Sequence, residues 1–274
     1  MRQFEEINKK IKEADAILIG ASNGFSITEG IHLFAENKEF ESLFGDFKQK
    51  YGIRCILQGL MFQWPSEDEK WAFYSRLVWH YDGDYQGSPA MENLKRIVGK
   101  KPYFIVTSNG EGHFELAGFE KERIYEIEGG WLQMQCADRC SDQLYPSLNV
   151  IQELSRYEKN GEIPTEMVPR CPHCGGAMNL HIQTDANFIP NTKQAAHFQS
   201  FIQQYHGKKL VVLELGIGWR NQLIKAPFMQ LVAQEEYCTY ITINKGEVYI
   251  PESISDRSFG ADGAIGDVLK GLRA

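Results

Sequence analysis

The chain has 274 residues, 43% hydrophobic and 24% charged, a globular balance that excludes a disordered polyelectrolyte. Its 29 Lys+Arg against 36 Asp+Glu leave a formal net charge of −7, the wrong sign for a surface that grips phosphates, so no nucleic-acid partner is expected. No apolar run approaches the roughly 18 residues of a membrane span, and no membrane partner is expected either. The start, Met1-Arg2-Gln3-Phe4-Glu5-Glu6, carries acid where a secretion signal carries base and then an apolar run, so a cytoplasmic protein is expected.

Phe4, Ile7 and Ile11 recur at helical spacing and predict a first helix over 4–13. The apolar run Ala16-Ile17-Leu18-Ile19 then predicts a buried strand, ending in Gly20-Ala21-Ser22-Asn23-Gly24-Phe25-Ser26. A buried strand followed by a glycine-rich turn opens many nucleotide-binding α/β units, because glycine lets backbone approach a pyrophosphate. The run is neither a strict G-x-G-x-x-G nor a P-loop, and a plain strand-to-helix turn also accounts for it. From Thr28 to Ala90 aromatics accumulate, among them Phe34, Phe40, Phe44, Phe47, Trp64, Trp71 and Phe73. Their spacing predicts an aromatic helical core, with a minority free to line an apolar channel. Pro89 opens a helix over 90–97.

A second strand, Tyr103–Val106, ends in Thr107-Ser108-Asn109-Gly110-Glu111-Gly112-His113, and a third, Ile124–Ile127, ends in Glu128-Gly129-Gly130. After a cysteine-bearing region come strands at Leu210–Leu215, ending in Gly216-Ile217-Gly218, and at Tyr240–Ile243, ending at Asn244. A short helix over 267–272 closes the chain. Every strand thus ends in small or polar residues, and open α/β sheets bind ligands outside those carboxyl ends.

Two of the six cysteines, Cys55 and Cys238, stand alone. Cys136 and Cys140 form a C-x3-C pair, and Cys171 and Cys174 a C-x2-C pair followed by Gly175-Gly176. Two close pairs some thirty residues apart are the usual form of a tetrahedral structural zinc site. An incidental or redox-active pair is the competing reading, and His173 or His181 could stand in as a ligand.

In this order the features resemble the sirtuins over nearly the whole chain. The family's opening G-A-G-x-S loop is similar to Gly20-Ala21-Ser22, with Ser26 and Gly30-Ile31 further on. Its T-Q-N-x-D run resembles Thr107-Ser108-Asn109-Gly110-Glu111, followed by Ala117-Gly118. Its histidine-glycine pair falls on Glu128-Gly129, its zinc cysteines on Cys136, Cys140, Cys171 and Cys174, its G-T-S loop on Gly216-Ile217-Gly218, and its I-N dipeptide on Ile243-Asn244. The resemblance implies an α/β fold: a Rossmann-like parallel-sheet domain (1–34, 91–131 and 184–274), a helical module (35–90) and an inserted zinc module (132–183).

It also implies NAD as co-substrate and a structural Zn2+. Asn109 would hold the nicotinamide ribose, Glu111 the carboxamide side, and Glu128 the ribose hydroxyls and the acceptor. Gly20, Ala21, Ser22, Ser26, Gly216, Ile217 and Gly218 would meet the phosphates and the adenosine side, with Asn244 on the adenosine ribose. Two departures matter. The P-D-F-R segment of deacylating members is Ile31-His32-Leu33-Phe34 here, and their histidine base is Glu128. Loss of that histidine resembles the class-M sirtuins, a microbial branch that ADP-ribosylates proteins and more typically carries glutamine there. The expected activity is therefore ADP-ribosyl transfer from NAD to a protein acceptor. Lysine deacylation, NAD hydrolysis and non-catalytic binding of NAD or ADP-ribose are the alternatives. His113 reads as a packed or surface histidine rather than a base.

Overall fold

Six consecutive buried residues, Ala16–Ala21, make the first strand of a sheet that is covered on both faces. The computed structural model describes residues 2–272; Met1, Arg273 and Ala274, at the outer ends of the segments assigned to the sheet domain, lie outside the described residues. In chain order come α1 (Arg2–Glu13), β1 (Ala16–Ala21), α2 (Asn23–Thr28), α3 (Lys38–Tyr51), α4 (Ile56–Leu60), α5 (Glu67–Val78) and α6 (Pro89–Val98). Then follow β2 (Tyr103–Thr107), α7 (His113–Leu116), β3 (Ile124–Glu126), β4 (Gly129–Cys136), β5 (Leu144–Pro146), α8 (Leu148–Tyr157) and β6 (Met178–Ile182). The chain closes with α9 (Thr192–Gln204), β7 (Leu210–Leu215), α10 (Gln222–Gln234), β8 (Thr239–Asn244), β9 (Ser258–Asp262) and α11 (Ile265–Gly271).

Six strands pair in the order β3-β2-β1-β7-β8-β9, all parallel. That is the doubly wound order of dinucleotide-binding folds, in which the strand order, not the strand direction, reverses between β1 and β7. The four strands expected from apolar runs are β1, β2, β7 and β8, and the short third strand is β3. The edge strand β9 has no counterpart in the sequence reading, and the closing helix begins at Ile265 rather than 267. Side-chain caps start the helices of the inserted segment: Asn37 accepts from Phe40 N–H at 2.8 Å and Ser66 from Glu69 N–H at 3.3 Å. Ser88 accepts from Met91 N–H at 3.0 Å, with Pro89 in the first turn of α6.

The second sheet is small and antiparallel, β5-β4-β6, with a register shift between Gly130 and Met134. Its residues share one apolar core with α3, α5 and α8: Phe44, Phe73, Trp131, Met134, Cys136, Leu154 and Leu180 all belong to it. Aromatic side chains of the helical segment are mostly this core. Phe44 and Phe73 lie 4.5 Å apart by ring centroid, and Gly59 carries no Cβ because one would meet Phe73 Cζ at 2.1 Å. Among the described residues no helix is long and apolar enough to cross a membrane.

One polar group interrupts the centre of the large sheet. Glu214 in β7 is fully buried and accepts from Lys225 Nζ of α10, Tyr240 Oη at 2.7 Å and Thr242 Oγ1 at 2.9 Å. Removing one partner of a buried pair strands the other, at about 3–5 kcal/mol. Lys225→Met is therefore expected to lower the unfolding free energy by about that amount, read from urea denaturation midpoints.

Candidate active site

At the carboxyl edge of the large sheet, the turns after β1 and β7 touch. A Cβ on Gly24 would meet Gly216 Cα at 2.6 Å, and one on Gly216 would meet Gly24 at 2.5 Å. Gly24 N–H donates to Gly216 O at 3.0 Å, and Gly216 has φ of +64°, which only glycine adopts without strain. Beside this contact opens a cleft of about 740 Å3. It collects the turns after β1, β2, β3, β7 and β8, and it is closed on the far side by Leu33 and Phe34, which lead into the helical segment, and by Leu57, Leu60 and Met61 within it. Phe34, 63% exposed, is the aromatic that faces this opening rather than the core.

Ser22, Ser108 and Asn221 meet on the floor. The two hydroxyls are 3.1 Å apart, and Asn221 Nδ2 donates to both, at 3.0 and 2.8 Å. Asn221 Oδ1 is buried without a partner, as is Asn23 Oδ1. Asn109 lines the same cleft at 1% exposure, and its Nδ2 is also unpartnered. A buried amide left unpaired costs about 1–3 kcal/mol, so these groups fit a polar ligand that pairs with them. The loop bearing Asn109 is fixed on both sides: Asn109 N–H donates to Thr107 Oγ1 at 3.0 Å, and Trp131 N–H to Gly110 O at 2.7 Å. Gly110 is glycine because a Cβ would strike Trp131 Nε1 at 2.5 Å.

Glu128 lines the cleft just before β4. Burial pushes its carboxyl up from the usual range, which makes it a stronger base than a surface glutamate. Gly129 follows it with φ of +80°, and a Cβ there would meet His181 O at 2.0 Å, so the turn that presents Glu128 requires glycine. At the other end, Asn244 lines the cleft while its Nδ2 donates to Glu247 O at 3.0 Å. Glu247 Oε1 in turn accepts from Trp219 N–H at 3.1 Å, tying the turns after β7 and β8 together.

Of the residues singled out in the sequence, Ser22, Asn109, Glu128, Gly216, Gly218 and Asn244 therefore converge on one cleft. Gly20, Ala21, Ser26, Ile217 and Glu111 do not line it. Gly20 and Ala21 are the last residues of β1, and a Cβ on Gly20 would meet Phe228 at 2.5 Å, so this glycine serves strand–helix packing. Ile217 is fully buried in the core beneath α10. Ser26 and Glu111 are both buried and bond each other, Oγ to Oε1, at 2.7 Å behind the wall. Glu111 Oε2 has no partner, and burial raises its carboxyl pKa. Asn23, Gly24, Ser108 and Asn221 were not singled out in the sequence as ligand groups. Asn221 carries no local signal, because its role comes from meeting two serines contributed by other strands.

The four paired cysteines form a cluster where β4 ends and β6 begins. Their sulfurs all lie within 4.8 Å of one another, with Cys136–Cys174 at 3.7 Å and Cys140–Cys171 at 3.5 Å. Zinc–sulfur bonds of about 2.3 Å put tetrahedral sulfurs about 3.8 Å apart, so the donor set and spacing fit Zn2+. Four thiolates leave no open position for a reactant. His173 is exposed outside the cluster, and His181 bonds Ile189 O at 2.7 Å, so neither histidine belongs to it.

Fold and site together define a dinucleotide-cleft protein of the doubly wound type that carries an inserted four-thiolate module. No family model matches the sequence. A Staphylococcus aureus protein named protein ADP-ribosyltransferase is 32% identical over 265 residues, spanning 94% of this chain and 82% of that protein. A Fusarium oxysporum protein named probable bifunctional ADP-ribose hydrolase/ADP-ribosyltransferase is 25% identical over 239 residues, 82% of this chain and 39% of that one. Among solved structures, a Sir2 homologue in complex with NAD matches with TM-score 0.64 at 16% identity, covering 97% of this chain and 90% of the other. A structure solved for sirtuin substrate affinity matches with TM-score 0.64 at 15% identity, over 97% and 96%. The chain belongs to the sirtuin-like family of the staphylococcal ADP-ribosyltransferase.

Metal analysis of the purified protein is expected to find about one zinc per chain, as one four-ligand site requires. Cys171→Ser should lose the metal and lower the melting temperature, since binding energy in such a site is folding energy. A Cys136–Cys140 disulfide without metal would overturn this.

Proposed function

We propose that this chain cleaves NAD at its bond to nicotinamide and transfers the ADP-ribosyl group to a side chain of a protein acceptor. The observation that carries the reading is a half-buried carboxylate in the cleft, Glu128, the residue on which the sequence resemblance puts the histidine of deacylating sirtuins. The name of the staphylococcal relative supports it. The same replacement favours the class-M branch. Four thiols kept for a metal suit a reducing compartment such as the cytoplasm.

When bound, NAD supplies the ADP-ribosyl group, whose bond to nicotinamide breaks with positive charge building on the sugar. The Ser22 hydroxyl, which accepts from Ser108 Oγ and Asn221 Nδ2, keeps its own proton free for the phosphates, and Asn244 would offer its amide to the adenosine ribose. Asn109, whose buried amide nitrogen has no partner in the protein, would hold the nicotinamide ribose. Glu128 stabilises the developing positive charge and takes the proton from the acceptor nucleophile. Glu111 and Ser26 act from behind, bracing the Asn109 loop rather than touching the carboxamide.

Incubation with adenylate-labelled NAD and a cell extract is expected to put label on protein. Glu128→Gln should reduce transfer at least about 100-fold while NAD affinity measured by calorimetry changes little, because a base acts in the transition state. Because the working form is the carboxylate, transfer should fall as pH drops through the raised pKa of Glu128. Free ADP-ribose with no labelled protein would replace this reading with NAD hydrolysis. Robust turnover of an acyl-lysine peptide would replace it with deacylation.

A further inference from the structure

Behind the Asn109 loop lies a group of buried ionisable side chains that the reaction does not touch. His113, the first residue of α7, sits at their centre. Its Nε2 is 3.0 Å from Tyr81 O and 3.5 Å from Asp82 Oδ1, and its Nδ1 is 3.3 Å from Glu29 Oε2. Tyr85 stacks on the ring, centroids 3.8 Å apart and planes 18° from parallel. Glu29 accepts from Tyr85 Oη at 2.7 Å and from Ser88 Oγ, so it is equipped to stay ionised inside the protein. Asp82 lies in the π-turn Trp79–Gly83 that continues α5, and it accepts from Gly112 N–H at 3.2 Å. Glu111 faces the ring from its own loop, and Glu126 of β3 faces Asp82 and Glu111 electrostatically. Both ring nitrogens therefore look only at acceptors. Nδ1 makes no hydrogen bond, so its contact with Glu29 is an ion pair alone; a neutral imidazole would set a lone pair against either a carbonyl or a carboxylate, whereas an imidazolium is attracted to both.

We propose that His113 is a positioning residue for ADP-ribosyl transfer: held as an imidazolium between Glu29, Asp82 and the Tyr81 carbonyl, it anchors the Asn109 loop across the seam between the large sheet and the helical segment. The inference rests on the function proposed above. The anchor acts through backbone. Asn109 and His113 are four residues apart, Gly112 between them is fixed by Asp82, and Glu111 is fixed by Ser26. Loss of the ring proton opposes the Nδ1 lone pair to Glu29 and loosens the carboxyl end of that loop. Burial pulls the His113 pKa down, but Glu29, itself held low, and then Asp82 and Glu111 raise it above its ordinary range, although burial pushes the Asp82 carboxyl up to about 7 and raises Glu111 as well. The folded state thus keeps a proton that the unfolded chain gives up. Stability from this pair is full below about pH 6.5, the unfolded value, and is lost as pH rises through the folded one.

Two measurements test the proposal on the full chain. Nitrogen-15 spectra of the histidine rings at pH 7 should show both His113 nitrogens protonated. The turnover number for nicotinamide release should fall on the alkaline side, and Glu29→Gln should move that limb to lower pH by about one unit or more, the effect of removing an opposite charge within 4–6 Å. At pH 6 the variant should regain wild-type turnover, with KM for NAD within about twofold, a rescue that a merely destabilised protein does not show. A neutral His113 at pH 7, or an alkaline limb that Glu29→Gln leaves in place, overturns the proposal. A chain that turns over no NAD overturns the parent function and the catalytic half of this one, while the nitrogen spectra still decide the clamp.

Discussion

Two glycines in van der Waals contact set the geometry of this molecule. Gly24 and Gly216 belong to turns that leave neighbouring parallel strands in opposite directions, and neither tolerates a methyl group against the other. Their contact closes the switch point of the sheet and fixes how far apart the turns after β1 and β7 sit. Ser22 lies two residues before one glycine and Asn221 five after the other, so the hydrogen bonds on the cleft floor inherit their length from this contact. Without a Cβ at either position, bare backbone lines the cleft at the switch point of the sheet.

Much of the large sheet was legible because its burial is two-sided. Ala16–Ala21 and Leu210–Leu215 are unbroken runs buried along their whole length, and a continuous apolar run is the signature of a central parallel strand. Ser258–Asp262 escaped notice for the converse reason. It pairs on one edge only and is mostly half-exposed, so it has no apolar run to show. The small sheet was visible through its cysteines and not through its strands, since β4 shifts register between Gly130 and Met134 and breaks the alternation expected of an antiparallel strand.

The site divides along the same line. Residues at strand ends could be placed from order alone, because the carboxyl edge of a doubly wound sheet is where its turns must gather. Ser22, Asn109, Glu128, Gly216, Gly218 and Asn244 met there. Whether a turn residue faces ligand or interior is decided by partners far away in sequence. Ser26 and Glu111 are 85 residues apart and bond each other out of reach of the cleft. Polar residue types near a glycine turn look alike on paper; only packing sorts the ligand group from the brace. The buried Glu214–Lys225 pair makes the same point inside the sheet, where a charged residue in an apolar run is a fixed partner for three donors.

The apolar core shared by α3, α5, α8 and the three-stranded sheet has a consequence for how this protein can be altered. Residues on both sides of β2, from Ile31 to Tyr81 and from Trp131 to Leu180, bury one another, although the chain visits the large sheet in between. The two insertions are thus one cassette in space and two in sequence. Neither can be transplanted onto another scaffold or trimmed away alone without exposing the aromatic face of its counterpart. A shuffled gene must carry both or neither, so the fold inherits the far wall of its cleft as a single unit of exchange.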